Sequence, residues 1–308
     1  MKIQREWFMK SLRIILPLLI LFFIFYKSND YFQKLDWSLA ISQIPKIGFW
    51  DLSIILLLGF IAASFMIYYD ILFNNRLSLN IPIKKLVKYS LIANTFNNVL
   101  GFGGLAGASI RSTFFKKHHA NFKQLLKTIA WATPLMFAGV SALLIFVVMS
   151  DIHTFIDFKG DHLLKPVLWG IVLFLPVYLL ILFAKNKLTN KTDREFIIKM
   201  LAVSVVEWFL CFFVFYAISE LLNVSVSFPF LYGLFFVGKF ISVVSMTPGG
   251  IGTFDLVLLE GFDQHGVVKE TGLLIVVLYR ISYYALPWLI GIVLAISEMV
   301  PASLRKRA

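Results

Sequence analysis

The sequence predicts an all-α polytopic membrane protein, with about six transmembrane helices plus two re-entrant broken-helix hairpins in an inverted repeat. Three observations predict it. The 308 residues are 59% hydrophobic, with a mean hydropathy of +0.83, too apolar for a soluble domain. The apolar residues gather into runs near the roughly 20 residues that a helix needs to cross a bilayer. Two of the runs are interrupted by glycine, or by proline with glycine, where a continuous helix is disfavoured. A net charge of +12 would suggest nucleic acid in a soluble chain. In a membrane protein it reads as basic cytoplasmic loops, so no nucleic-acid partner is expected. The lone Cys211 cannot form an intrachain disulfide.

The first expected span, about 9–27, contains the apolar run Ile14 to Tyr26, which follows Lys2, Arg5, Lys10 and Arg13 and so imitates a signal peptide. Lys27-Ser28-Asn29-Asp30 follows it with no small-x-small cleavage site, so a retained first span is expected. Lys10 and Arg13 would reach back to the surface. Further spans are expected at about 51–73, 125–150, 163–184, 198–220 and 271–297. The stretch about 86–112 contains NNVLGFGGLAGASIR, with Gly101, Gly103, Gly104 and Gly107 ahead of Arg111. The stretch about 228–263 contains SMTPGGIGTFD, with Pro248, Gly249, Gly250 and Gly252 ahead of Asp255.

Charge decides whether these two stretches span or fold back. If both are re-entrant, the basic loops at 76–88, 111–127 and 185–199 share the cytoplasmic side with both termini. Only Lys27, Lys34, Lys46, Lys159, Lys165 and Lys269 then lie outside. If the first stretch spanned, the loops at 111–127 and 185–199 would fall on opposite sides. Re-entrant hairpins are therefore expected, in one integral membrane domain, 1–308, with inverted repeats at about 1–150 and 163–297. Paired broken helices at matching places in two halves point to a transporter's substrate path, because non-helical backbone at membrane depth must be buried in protein or line a polar cavity. The alternative is that the glycines only let helices pack closely.

Six ionisable residues lie in or at the ends of apolar segments: Asp70, Arg111, Glu207, Lys239, Asp255 and Arg280. Each costs roughly 2.5–3.5 kcal/mol to insert, so each should face the protein interior and have a partner. Three are acidic and three basic, so mutual ion pairing is an open alternative to substrate binding. Glu207 stands out, in the middle of LAVSVVEWFLCFF. No cofactor, metal site or catalytic constellation is expected. The glycines at 101–104 lack the strand–turn–helix context of a dinucleotide site, and His118-His119 sits in a lysine-rich loop without cysteine or acid.

Taken in order, NTFNNVLGFGGLAGASIR, VVEWFLCFF, SMTPGGIGTFDLVLLEGF and VVLYRISYYALPWLIG resemble the N-terminal flippase region of the MprF family, the multiple peptide resistance factors, also called phosphatidylglycerol lysyltransferases or lysylphosphatidylglycerol synthases. The resemblance covers nearly the whole chain. It implies a flippase in the bacterial plasma membrane that moves lysyl-phosphatidylglycerol, or a related aminoacylated phospholipid, to the outer leaflet and so contributes to resistance to cationic antimicrobial peptides. It implies functional positions at Asp70, Arg111, Glu207, Asp255 and Arg280, the acids attracting ammonium groups and the arginines pairing with phosphate. The family's cytosolic synthase domain uses lysyl-tRNA. The chain ends at LRKRA after the last span, so that domain, and lysyl transfer, are not expected here. A separate lipid-aminoacylating synthase and a second copy of the chain are the candidate protein partners. Two rival readings stay open: an anchor for such a synthase or for another transferase, and a flippase for another lipid such as a polyprenyl phosphate.

Overall fold

The computed structural model describes residues 47–100, 104–119, 121–149, 169–170, 172–245 and 247–299. The expected first span, Gly101 and Gly103 lie outside these residues. The described chain is helical throughout: α1 (Phe49–Ser64), α2 (Ile67–Arg76), α3 (Ile83–Leu100), α4 (Leu105–Phe115), α5 (Phe122–Ala132), α6 (Ala138–Met149), α7 (Phe174–Ala184), α8 (Lys191–Leu221), α9 (Phe228–Ser245), α10 (Thr253–Gln264), α11 (Lys269–Arg280) and α12 (Leu286–Met299). Five segments among the described residues are long and apolar enough to cross a membrane: Phe49–Arg76, Phe122–Met149, Lys191–Leu221, Phe228–Ser245 and Lys269–Glu298. The protein is thus an all-α polytopic membrane protein. The expected spans at 51–73, 125–150, 198–220 and 271–297 coincide with four of these segments, and α7 is a shorter apolar helix within the expected span at 163–184. The fifth, Phe228–Ser245, lies inside the stretch assigned to the second hairpin and is itself long enough to cross.

Local chemistry explains where the helices start and break. Asn121 and Asn190 cap α5 and α8, their side chains accepting from Gln124 N at 3.0 Å and Asp193 N at 3.2 Å. Pro134 separates α5 from α6 by a 3₁₀ turn over Thr133–Met136. Met136 O, left without its helical partner, accepts from Ser204 Oγ at 2.9 Å and Trp208 Nε1 at 3.0 Å on α8. Between α11 and α12 the chain widens into a π turn, Ile281–Ala285, closed by Leu286 N on Ile281 O. Pro287 follows directly and has no amide hydrogen to continue a regular ladder.

Helix α8 is central and packs on α1, α2, α6, α9 and α11. Its C-terminal half joins an aromatic core in which Phe212, Phe215, Phe235, Phe236, Phe254 and Tyr279 are fully buried. Its N-terminal part joins a second core with Tyr69, Phe73, Leu125 and Ile129. Large apolar side chains also cover the outside: Trp50, Leu57, Leu180, Met149 and Val293 are all more than half exposed. In water that surface would be a liability; in a bilayer it faces lipid. Gly139 permits a close helix contact, because a Cβ there would collide with the backbone of Ser204.

Both interrupted stretches fold back on themselves. Helix α3 packs on α4, and α9 packs on α10, so each break is the tip of a helical hairpin. Gly104 at the first tip has φ +86°; Gly249, Gly250 and Gly252 at the second have φ +57°, +64° and +83°, a region that costs other residues roughly 1–2 kcal/mol. The two tips meet. A Cβ on Gly249 would lie 3.3 Å from Val99 O and 3.4 Å from Asn98 O, the carbonyls at the end of α3.

Candidate functional site

The first tip is braced by a buried polar network. Helix α3 carries Ser90, Asn94, Asn97 and Asn98 at helical spacing, so these side chains follow one side of the helix. Asp70, on α2, accepts from Ser90 Oγ at 2.6 Å and from Asn94 Nδ2 at 3.0 Å. Arg111, on α4, grips both oxygens of Asp70 through Nε and Nη2, and Nη2 also donates to Asn94 Oδ1 at 2.9 Å. Arg111 lies 5.3 Å from the Phe73 ring centre. Its side chain is 2% exposed and that of Asp70 is 1% exposed, so these charges are compensated inside the protein. Gly107 lets α4 approach α3: its amide donates to Asn97 Oδ1 at 3.1 Å, and a Cβ would lie 2.8 Å from Asn97 Cβ.

The second tip is braced by a similar pairing. Arg280, at the end of α11, donates from Nε to Asp255 Oδ1 at 2.7 Å and from Nη2 to Asp255 Oδ2 at 2.9 Å. The same guanidinium reaches Gly249 O at 3.2 Å and Gly250 O at 3.1 Å, carbonyls that the Pro-Gly-Gly break withholds from a helix ladder. Asp255 also accepts from Gly252 N at 2.8 Å, at the start of α10, where the helix dipole favours an anion. Ser245, Thr247 and Thr253 close the tip with hydroxyl contacts of 3.0–3.1 Å.

A cavity of about 100 Å³ lies between the tips. The first hairpin contributes Asn94, Asn97, Asn98, Gly104 and Arg111; the second contributes Lys239, Ser242, Thr247, Gly249 and Gly250. Glu207 and Trp208 on α8, and Tyr283 and Tyr284 in the π turn, close it. Of the six charged residues singled out in the sequence, Arg111, Glu207 and Lys239 line this space. Asp70, Asp255 and Arg280 stand behind it as partners and tip braces. The mutual pairing left open by the sequence thus holds for two pairs.

Glu207 and Lys239 differ from the other four. Each residue is 3% exposed, and among the described residues neither has an ion-pair partner within 4.0 Å. Glu207 accepts from Tyr69 Oη at 2.6 Å. Lys239 donates to Tyr284 Oη at 2.8 Å, and its ammonium lies 4.1–5.7 Å from the ring centres of Phe235, Phe254, Tyr279, Tyr283 and Tyr284. The cavity therefore presents an acid and a base, each held by neutral groups. The described residues hold no cluster of His, Cys, Asp and Glu that could bind a metal. Sequence reasoning passed over Tyr69, Trp208, Tyr283, Tyr284 and the asparagines of α3. Asn94, Asn97 and Asn98 left a signal, three amides at helical spacing just ahead of a glycine break.

Comparisons with known proteins agree with this architecture. Residues 183–291 match the lysylphosphatidylglycerol synthase TM region family. The chain is 31% identical over 306 residues to a phosphatidylglycerol lysyltransferase of Bacillus subtilis, covering 96% of this chain and 35% of that protein. It is 33% identical over 279 residues to the phosphatidylglycerol lysyltransferase of Staphylococcus xylosus, covering 89% and 32%. With the Staphylococcus aureus (strain MRSA252) protein of the same name it shares 30% over 256 residues, covering 83% and 30%. The chain spans about a third of the length of the curated relatives it matches. Residues 183–291 thus belong to the lysylphosphatidylglycerol synthase TM region family, and the chain is similar over 83–96% of its own length to phosphatidylglycerol lysyltransferases.

Proposed function

We propose that the protein is a lipid flippase of the bacterial plasma membrane, with its termini in the cytoplasm, moving lysyl-phosphatidylglycerol or a related aminoacylated phospholipid to the outer leaflet. Exposure of that cationic lipid would weaken attraction of cationic antimicrobial peptides. The observation that carries this reading is the cavity between the two tips, where Glu207 has no basic side chain within 4.0 Å among the described residues. A buried carboxylate held by one tyrosine is suited to an ammonium group, whose charge it compensates. The polar headgroup passes between the tips while the acyl chains stay in lipid. Passage between the tips requires the contact of Gly249 with Asn98 and Val99 to open. The inverted repeat expected from the sequence supplies the opposing motion: one hairpin yields toward each side. Asp70–Arg111 and Asp255–Arg280 keep each tip in shape as it moves.

Purified protein in liposomes tests the reading. Fluorescent lysyl-phosphatidylglycerol, phosphatidylglycerol and a polyprenyl phosphate are placed in one leaflet, and dithionite quenching follows their movement. Faster movement of the lysyl lipid than of the other two supports the proposal. Preferential movement of the polyprenyl phosphate would transfer the site to a different lipid. No movement of any lipid by folded protein would favour an anchoring role for a separate synthase.

A further inference from the structure

We infer that Lys239 is the anion-reading residue of the cavity and that it takes a single phosphate ester, while Glu207 is left to take an ammonium where the headgroup carries one. The inference builds on the lipid reading above and assigns its phosphate contact. The guanidinium groups of Arg111 and Arg280 are engaged with Asp70 and Asp255. Their charges are cancelled where they stand, and Arg280 does not line the cavity. Lys239 is different: it lines the cavity, is 3% exposed and has no carboxylate within ion-pair distance among the described residues. Five aromatic rings and one tyrosine hydroxyl surround its ammonium. Such a box attracts an ammonium and fixes it in place, while supplying no counter-charge. An ammonium has three donors, and Tyr284 takes one. A phosphate oxygen arriving through the cavity would meet a preorganised charge-assisted donor.

The neighbouring groups set the selectivity. The hydroxyls and amides around the cavity, Asn97, Asn98, Ser242 and Thr247, suit polar oxygens of either source, a lipid headgroup or a soluble phosphate ester. Glu207 opposes a second negative charge. A ligand with one phosphate therefore suits Lys239 better than a diphosphate does, and an ammonium on the same headgroup adds a contact to Glu207 without being required for the phosphate contact.

The test uses the purified full chain in dodecyl maltoside and reads apparent affinity from ligand-induced thermal stabilisation. The probes are phosphatidylglycerol, an uncharged glucosyl diacylglycerol and glycerol 1-phosphate. Phosphatidylglycerol is expected to stabilise the wild type and the glucosyl lipid is not; equal stabilisation by the two overturns the inference without any variant. Lys239→Met keeps an unbranched side chain that packs well against aromatic rings. It should bind phosphatidylglycerol at least about tenfold more weakly, a loss of about 1.4 kcal/mol, and Lys239→Arg should restore much of the affinity. A folded Lys239→Met protein that binds within twofold of wild type overturns the inference. Glycerol 1-phosphate binding as tightly as the lipid would identify a soluble ester as the source of the same anion and uphold the role of Lys239. A chain that binds phosphatidylglycerol through Lys239 yet moves no lipid overturns the flippase reading alone. A chain that moves lipid equally well with Lys239→Met overturns the inference about Lys239 alone.

Discussion

Removing Asp70 while leaving Arg111 in place should be among the most damaging single changes in the protein. Arg111 is 2% exposed, and its guanidinium rests on both oxygens of Asp70. Asp70→Asn keeps an acceptor for Ser90 and Asn94 but leaves the guanidinium charge uncompensated in the interior. Breaking one side of a buried pair costs about 3–5 kcal/mol. Arg111→Met leaves the opposite charge stranded and should cost a similar amount. Removing both charges leaves no stranded ion, so Asp70→Asn/Arg111→Met should recover at least about 2 kcal/mol relative to the sum of the single changes. Equilibrium unfolding in mixed micelles measures all four proteins. The Asp255–Arg280 pair gives the control: its side chains are 13% and 21% exposed, so water softens the loss and the single substitutions there should cost less. Single substitutions at Asp70 or Arg111 that cost under about 1 kcal/mol, or effects that simply add, would refute the reasoning.

Other outcomes follow from the same geometry. Gly139→Ala places a methyl group against the backbone of Ser204, and because backbone cannot swing away, a loss of about 1–3 kcal/mol is expected in the same unfolding assay. Gly250→Ala meets Ser242 Oγ and a φ of +64°; adding Ser242→Gly should relieve the clash but leave about 1–2 kcal/mol of backbone strain, and full recovery would contradict that φ. Tyr69→Phe removes the 2.6 Å bond to Glu207 and should destabilise by about 1–3 kcal/mol, as expected for a lost hydrogen bond to a charged group. Burial, then Lys85 and Lys117, hold His118 below its ordinary range. Its stabilising contribution is therefore complete above the unfolded value of about 6.5 and is lost as pH falls through the lower folded value. His118→Gln should flatten the acid limb of a plot of Tm against pH, and an unchanged limb would contradict this.

The breaks were legible in the sequence because proline and glycine act locally: Pro248 and the glycines around it disrupt a helix whatever surrounds them. The charged residues were legible for an equally simple reason, since any ion in an apolar run demands an explanation. Their roles were not. Arg111 finds Asp70 across 41 positions, and Tyr69 finds Glu207 across 138. Which helix faces which depends on packing at contacts such as Gly139 against Ser204, which no run of hydropathy encodes. The resemblance implied that all five charged residues act on the substrate. The geometry separates them, with two ion pairs bracing the tips and Glu207 facing the cavity beside Lys239. The aromatic box around Lys239 draws rings from α9, α10, α11 and the π turn, and only the folded chain assembles it.

The most direct test of the central claim is the rate of lysyl-phosphatidylglycerol movement in liposomes containing Glu207→Gln, measured beside wild type at matched amounts of folded protein. Glutamine keeps the size of the side chain and an oxygen for Tyr69 to donate to, so the fold should survive while the charge that attracts the ammonium is gone. The account predicts movement reduced at least about tenfold, the loss of one charge-assisted contact of about 1.4 kcal/mol or more. Movement at the wild-type rate would contradict it and remove the cavity's carboxylate from the path of the lipid.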